Sequence, residues 1–189
     1  MGSRSEAKAH FRREALRILR RIPRGRARIE DHRLRREVME YIDRLAPRSV
    51  LLYLPLPLEV DLRPIIKQLR KRGIDVFVPF MEGKSIRPVK YRLPLQKKAY
   101  GIYEPKISRQ YRVGKIDIAF IPIVGTDPTV RRIGFGKGFY DRYFDKEKKR
   151  IGRVVFLQRR LCYSPIVLTE AHDVRGDDII AGPMILIQP

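Results

Sequence analysis

The stretch Arg131-Arg132-Ile133-Gly134-Phe135-Gly136-Lys137-Gly138-Phe139-Tyr140-Asp141-Arg142 places glycine at three alternate positions, encloses a lysine and ends in aromatic and acidic residues. Glycines spaced this way allow positive φ and bring bare amide N–H groups against an anion, which side chains there would block. Lys137 adds a mobile cation. A helix is predicted from Phe139 to Lys148, so its first-turn amides and positive dipole end face the same anion. Asp141 falls in that first turn, where a carboxylate beside phosphates needs a hard cation between them; it is a candidate Mg²⁺ ligand. A nucleotide with Mg²⁺ is one reading, and a glycine-rich surface turn without a ligand is the other. The spacing G-x-G-x-G departs from the dinucleotide fingerprint, and Gly138 after Lys137 departs from the Walker loop.

The elements that must carry this turn follow from periodicity. Ser3 with Glu6 has capping-box spacing, and Phe11, Ala15, Ile18, Leu19 and Ile22 recur at helical period up to Pro23. Leu34, Val38, Ile42 and Leu45 mark a second helix. Lys8 and Arg12, four apart, share a face of the first helix, where a solvated face competes with phosphate contact. Val50 to Leu54 reads as a buried strand, and Pro55 to Val60 as an irregular loop. Asp61 is expected to cap a helix ending near Arg72 and Gly73, with Asp75 to Phe80 the next strand. Such a strand–helix–strand unit pairs in parallel and collects ligands at the carboxyl ends of its strands, where Glu59 lies. A lone loop carboxylate is equally a surface charge.

Further strands are expected at Ser85 to Tyr91, Asp117 to Val124, Arg150 to Leu157 and Met184 to Gln188. The apolar run up to Val124 leads to the glycine motif, again beyond a strand's carboxyl end. The fold class is therefore α/β: a single three-layer domain over 1–189, its mixed, mostly parallel sheet flanked by helices, with residues 1–48 a helical N-terminal portion packed on it.

Composition narrows the function. With 43% hydrophobic residues the 189-residue chain is globular. It has no apolar run long enough for a membrane span and no secretory leader pattern, so the expectation is a cytoplasmic protein without a membrane partner. One cysteine excludes an internal disulfide, and Cys162 reads as core. The net charge of +21 suits a nucleic-acid binder, yet residues 1–48 hold 15 basic against 7 acidic side chains, so the excess is spread along the chain. With no recognised nucleic-acid motif, the charge instead suits anionic small substrates or adaptation to heat.

The chain resembles the 5-formyltetrahydrofolate cyclo-ligases from Lys8 to about Asp178. The residues that carry this resemblance are Lys8 and Arg12, Pro57-Leu58-Glu59-Val60-Asp61, Gly101-Ile102-Tyr103-Glu104-Pro105, the R-x-G-x-G-x-G-[FY]-Y-D-R signature from Arg132 to Arg142, and Ala171-His172-Asp173-Val174 with Asp177-Asp178. The resemblance implies ATP- and Mg²⁺-dependent cyclisation of a reduced folate, with or without a polyglutamate tail, releasing ADP and phosphate; separately, the protein is expected to be a monomer. The formyl oxygen would attack the γ-phosphate, and the folate's other nitrogen would then displace phosphate. It further implies ATP contacts from Lys8, Arg12 and the segment Arg132, Ile133, Gly134, Phe135, Gly136, Lys137, Gly138, Phe139 and Tyr140. Lys137 and Glu59 would serve catalysis, and Glu59, Tyr100 and Phe139 would hold the folate. Asp141 and Asp173 would bind metal, with His172 structural rather than a base. Tyr100 stands where the family often has Trp, and Phe139 where Tyr is commoner. A basic nucleotide- or RNA-binding protein without turnover is the alternative.

Overall fold

The computed structural model describes residues 3–98, 101–106 and 113–188. Helix α1 (Arg4–Arg20) opens on the expected capping box: Glu6 N donates to Ser3 Oγ, and Ser3 N donates to Glu6 Oε2 at 2.6 Å. Helix α2 (Arg24–Leu45) starts after Pro23 and ends at Ala46, which adopts the left-handed conformation that closes many helices. Strand β1 (Ser49–Leu51), helix α3 (Arg63–Lys71) and strand β2 (Asp75–Glu82) form the expected parallel strand–helix–strand unit.

A six-stranded sheet runs in the order β11-β9-β6-β1-β2-β3, with β3 (Ser85–Lys90), β6 (Ile116–Pro122), β9 (Ile151–Gln158) and β11 (Asp178–Ala181) completing it. Every pairing is parallel except β2 with β3. Alternation along β6 explains the layers. Ile118 and Phe120 pack with Leu34, Val38 and Ile42 of α2 on one face. Ala119 and Ile121 pack with Tyr143 and Phe144 of α4 (Phe139–Glu147) on the other. A strand covered on both sides is apolar throughout, which is why β6 read as a continuous hydrophobic run.

Two expectations are displaced. Strand β1 stops at Leu51, not Leu54: Leu52 N still donates to Phe77 O, and the chain then leaves the sheet ahead of Pro55 and Pro57, which have no N–H to offer. Tyr53 and Leu54 stay buried there and become cavity wall. Helix α3 has Leu62, not Asp61, at its N-cap. Asp61 sits one residue early, accepting from Arg63 N at 3.0 Å and gripping the Arg63 guanidinium.

A second sheet was absent from the sequence reading. Strands β7 (Gly125–Thr126), β8 (Arg132–Ile133), β10 (Leu161–Tyr163) and β12 (Met184–Leu186) pair in the order β12-β10-β7-β8. The strand expected near Met184 is β12, and it joins this small sheet, not the main one. Phe11, Ala15 and Leu19 of α1 pack on it against Val124, Ile133 and Cys162. Burial pushes the Cys162 thiol up to about 12, leaving it inert core. A separate hairpin joins β4 (Leu95–Lys97) to β5 (Tyr103–Pro105).

The α1 contact depends on Gly125. A Cβ there would lie 2.6 Å from both the Cys162 carbonyl and the Phe11 ring. Gly125→Ala is expected to cost about 3 kcal/mol, read as a lower denaturant midpoint with unchanged slope. Wild-type stability in that variant would refute the packing argument.

Candidate functional site

The glycine motif leaves β8 as a loop and enters α4. Its three glycines are required for two different reasons. Gly136 (φ 91°) and Gly138 (φ 66°) take the positive φ that the spacing predicted. Gly134 does not; a Cβ there would sit 2.3 Å from the Arg132 guanidinium, whose burial gives it nowhere to move. Arg132 Nε donates to Pro122 O at 3.0 Å, its Nη1 lies 3.4 Å from Asp141 Oδ2, and its plane stacks 4.9 Å from the Tyr140 ring centroid. This buried cation thus ties the end of β6 to the first turn of α4.

The loop separates two cavities, and Gly138 lines both. The smaller, about 270 Å³, is polar: Lys8, Arg12, Arg142, Asp141, Asp145 and Asp173 converge there with Gly134 and Gly136. Helix α1 delivers Lys8 and Arg12 because they continue, toward its N-terminus, the same face whose Phe11, Ala15 and Leu19 are fixed on the small sheet. Lys8 Nζ is 2.6 Å from Asp173 Oδ2, and Arg12 Nε donates to Gly134 O at 2.8 Å. Partial burial draws the Arg12 pKa below its ordinary value, while Asp173 and Asp141 oppose that and Arg132 adds to it; it remains a cation. The competing solvated-face reading of this pair does not hold.

Asp173 is brought to the cavity by a buried hub. Asp127, fully buried, accepts from Thr129, Leu168 and Thr169, which anchors the chain entering the Glu170–Asp173 turn. Burial alone would raise the Asp127 pKa, but the hydrogen bonds from Thr129, Thr169 and Leu168 hold it below its ordinary value. Asp173 Oδ2 accepts from Glu170 N at 2.7 Å, and Arg131 donates to the Asp173 carbonyl. Asp141 faces the same cavity. Among the described residues, no three acidic, His or Cys side chains close on a metal position by themselves. Two carboxylates in one cavity lined also by Lys8, Arg12 and Arg142 nonetheless fit Mg²⁺, which takes one or two carboxylates and completes its shell with phosphate and water oxygens. His172 is mostly exposed at the rim, 3.3 Å from Glu170 and 3.9 Å from Asp173.

The larger cavity, about 450 Å³, is mainly apolar and lies on the other side of the loop. Arg132, Phe135, Lys137, Phe139 and Tyr140 line it, so the alternating motif turns its side chains here and its glycines toward the polar cavity. Ile133 lines neither cavity; its side chain is core and its carbonyl accepts from Val124 N. Glu59 is almost completely buried in the apolar wall, with Leu56 N donating to Oε2 at 2.7 Å. Burial pushes Glu59 up to about 7, against the pull of the Leu56 N–H and of the Arg132 and Arg159 charges. Burial and the Glu59 charge raise Tyr53 and Tyr140 well above the ordinary phenol value, so both stay neutral. The Tyr53 hydroxyl is buried and has no hydrogen-bond partner among the described residues. Tyr100 lies outside the described residues.

Sequence reasoning missed Tyr53, which looked like ordinary strand core, and Asp145. Helical spacing would have found Asp145, which stands four residues after Asp141. The arrangement can hold a phosphate chain and an apolar, hydrogen-bonding heterocycle on opposite sides of one loop, meeting at Gly138.

Residues 4–182 match the model of the 5-formyltetrahydrofolate cyclo-ligase family. The 5-formyltetrahydrofolate cyclo-ligase of Haemophilus influenzae is 24% identical over 165 residues, covering 82% of this chain and 88% of the relative. That of Mus musculus is 26% identical over 149 residues, covering 70% and 72%. The NMR structure of Aquifex aeolicus 5,10-methenyltetrahydrofolate synthetase superposes with a TM-score of 0.75 at 26% identity, covering 92% of this chain and 89% of that one. The Mycoplasma pneumoniae 5,10-methenyltetrahydrofolate synthetase, at 19% identity and TM-score 0.68, shares the fold over 92% and 97%. The chain belongs to the 5-formyltetrahydrofolate cyclo-ligase family and is an ATP-using ligase of one-carbon folate chemistry.

Proposed function

We infer that the protein cyclises 5-formyltetrahydrofolate to 5,10-methenyltetrahydrofolate with ATP and Mg²⁺, releasing ADP and phosphate. The observation that carries this reading is the glycine loop shared by a cationic, carboxylate-bearing cavity and an apolar one containing Glu59. Lys8, Arg12 and the loop amides hold the triphosphate, while Glu59, the Tyr53 hydroxyl and Phe139 hold the folate, with Tyr100 packing on it. The Tyr53 hydroxyl, unpartnered among the described residues, supports a ligand with hydrogen-bonding groups at this position.

The formyl oxygen attacks the γ-phosphorus as the bond to the ADP oxygen breaks. The folate's second nitrogen then attacks the formyl carbon, the carbon–oxygen bond breaks, phosphate leaves and that nitrogen gives up its proton. An amide oxygen leaves poorly, and phosphorylation makes it a good leaving group, so the protein's task is positioning and charge neutralisation. Lys137, on the folate side of the loop, neutralises charge developing on the transferred group. Asp141 and Asp173 would hold Mg²⁺, which supplies charge neutralisation on the phosphate oxygens when bound.

We infer further that residues 1–189 act as a single monomeric domain, with 1–48 packed on it, in the cytoplasm. No helix among the described residues is long and apolar enough to cross a membrane. The +21 charge would steer an anionic folate, including a polyglutamate tail, toward the protein.

The direct test follows the methenyl-folate absorbance band as protein meets 5-formyltetrahydrofolate, Mg²⁺ and ATP. A rise that needs all three is expected. A flat trace, with RNA binding that weakens steeply with salt, would instead favour a basic binding protein without turnover.

A further inference from the structure

Two residues that neither motif contains hold the loop that presents Glu59. Arg159, just beyond β9, and Asp31 of α2 lie 128 positions apart, yet their side chains are both almost fully buried and meet fork to fork. Arg159 Nε donates to Asp31 Oδ1 at 2.6 Å and its Nη2 to Asp31 Oδ2 at 2.9 Å. Each partner keeps one further bond for the loop. Arg159 Nη1 donates to the Pro57 carbonyl at 2.9 Å, and Asp31 Oδ2 accepts from Asp61 N at 3.2 Å. The pair therefore grips the backbone two residues before and two residues after Glu59.

Pro57 cannot supply a ladder N–H, and no regular pairing among the described residues holds residues 55–61. The loop's geometry therefore depends on such side-chain bonds. A buried ion pair is poor value as a stabilising device, because desolvation offsets most of the attraction and an apolar pair of similar size often serves as well. A planar five-donor fork is nevertheless well suited to fixing several oxygens at once, which a lysine cannot do. We propose that Arg159, locked to Asp31, is the positioning residue of the Glu59 loop and sets the enzyme's affinity for the formylfolate. The proposal rests on the reading above, in which Glu59 contacts the folate.

Arg159 has a second, separable effect on the same group. Its charge and that of Arg132 favour ionised Glu59, against burial. Among the described residues, Arg20, Lys137, Tyr53, Tyr103 and Tyr140 are the other charged or titratable groups lining the cavity with Glu59, and Asp31, Asp61, Arg63 and Lys97 line an adjoining cavity with Glu59 and Arg159. Removing the Arg159 charge should therefore move the Glu59 titration upward, and replacing the fork by a lysine should not.

The experiment compares wild type, Glu59→Gln, Arg159→Lys and the double variant Asp31→Leu with Arg159→Met, in which no buried charge is left alone. The expected result for the double variant is a KM for 5-formyltetrahydrofolate raised about ten-fold or more, an unchanged KM for ATP and a higher midpoint in the pH profile of kcat/KM. Arg159→Lys should raise the folate KM while keeping the midpoint, and it tests the fork even if the double variant does not fold. Equal changes in both KM values, or none, would overturn the positioning role. A Glu59→Gln protein with wild-type folate KM would overturn the Glu59 reading and the positioning role with it. If Glu59→Gln raises that KM and the Arg159 variants do not, only the positioning role falls.

Discussion

Replacing Asp141 with alanine is expected to lower kcat for ATP-dependent ring closure by about 10²- to 10³-fold while leaving the protein folded. The two halves of this expectation have separate grounds. Among the described residues, Asp141 holds its neighbours by two long contacts, 3.4 Å to Arg132 Nη1 and 3.4 Å from Val174 N, so little native structure depends on them. Arg132 keeps its bond to Pro122 O and its stacking on Tyr140 without it. The carboxylate does, however, stand in the first turn of α4, beside Lys8, Arg12 and the glycine loop, where a phosphate-bound Mg²⁺ would need it. Turnover measured against Mg²⁺ concentration, with a thermal melt alongside, checks both halves. Wild-type kcat at the same Mg²⁺ concentration would remove Asp141 from the metal site. By contrast, Asp173 is engaged at 2.6 Å by Lys8 and 2.7 Å by Glu170 N, so its loss should disturb the turn as well as the chemistry.

Glu59→Gln should make the protein more stable at high pH and a poorer enzyme. Burial raises this carboxyl from 4.5 to about 7. Between those values the folded protein binds more protons than the unfolded chain, so wild-type stability falls as pH rises through the window. The protonated group's contribution is fully present below about 4.5 and gone above about 7. Glutamine has no such dependence. The variant should therefore gain on wild type by about 2–3 kcal/mol between pH 5 and pH 8.5 in denaturant unfolding. Parallel stability curves over that interval would refute the buried-acid assignment. At the same time its folate KM should rise, since a buried carboxyl facing a cavity is retained for binding at a cost in stability.

Much of the frame was legible. The capping box at Ser3, the four-residue spacing of Phe11, Ala15 and Leu19, and the doubly apolar β6 each encode their element within a short window, because hydrogen-bond geometry and burial repeat at fixed periods. The small sheet was not legible. Strands of two to four residues, such as Gly125–Thr126 and Arg132–Ile133, are too short for alternation to show, and they exist because α1 and the neighbouring strands cover them. Asp178–Ala181 escaped for the same reason. Asp61 misled because an acid next to an apolar run looks like a cap, whereas here Asp31 and Arg63 claim it.

The site divides along the same line. From the sequence alone came the glycine motif, Asp141 in the first turn of a helix, Glu59 beyond a strand's carboxyl end and the family those residues belong to, all set by neighbours close in the chain. Only the tertiary structure decided that the glycines face one cavity while Lys137 faces the other, that Lys8 reaches Asp173 across 165 positions, and that Arg159 and Asp31 clamp the Glu59 loop. Local patterns record what each residue does with the next few. Which charges meet in the interior depends on how α1 and α2 dock, and the energy that selects that docking is spread over apolar contacts along the whole chain.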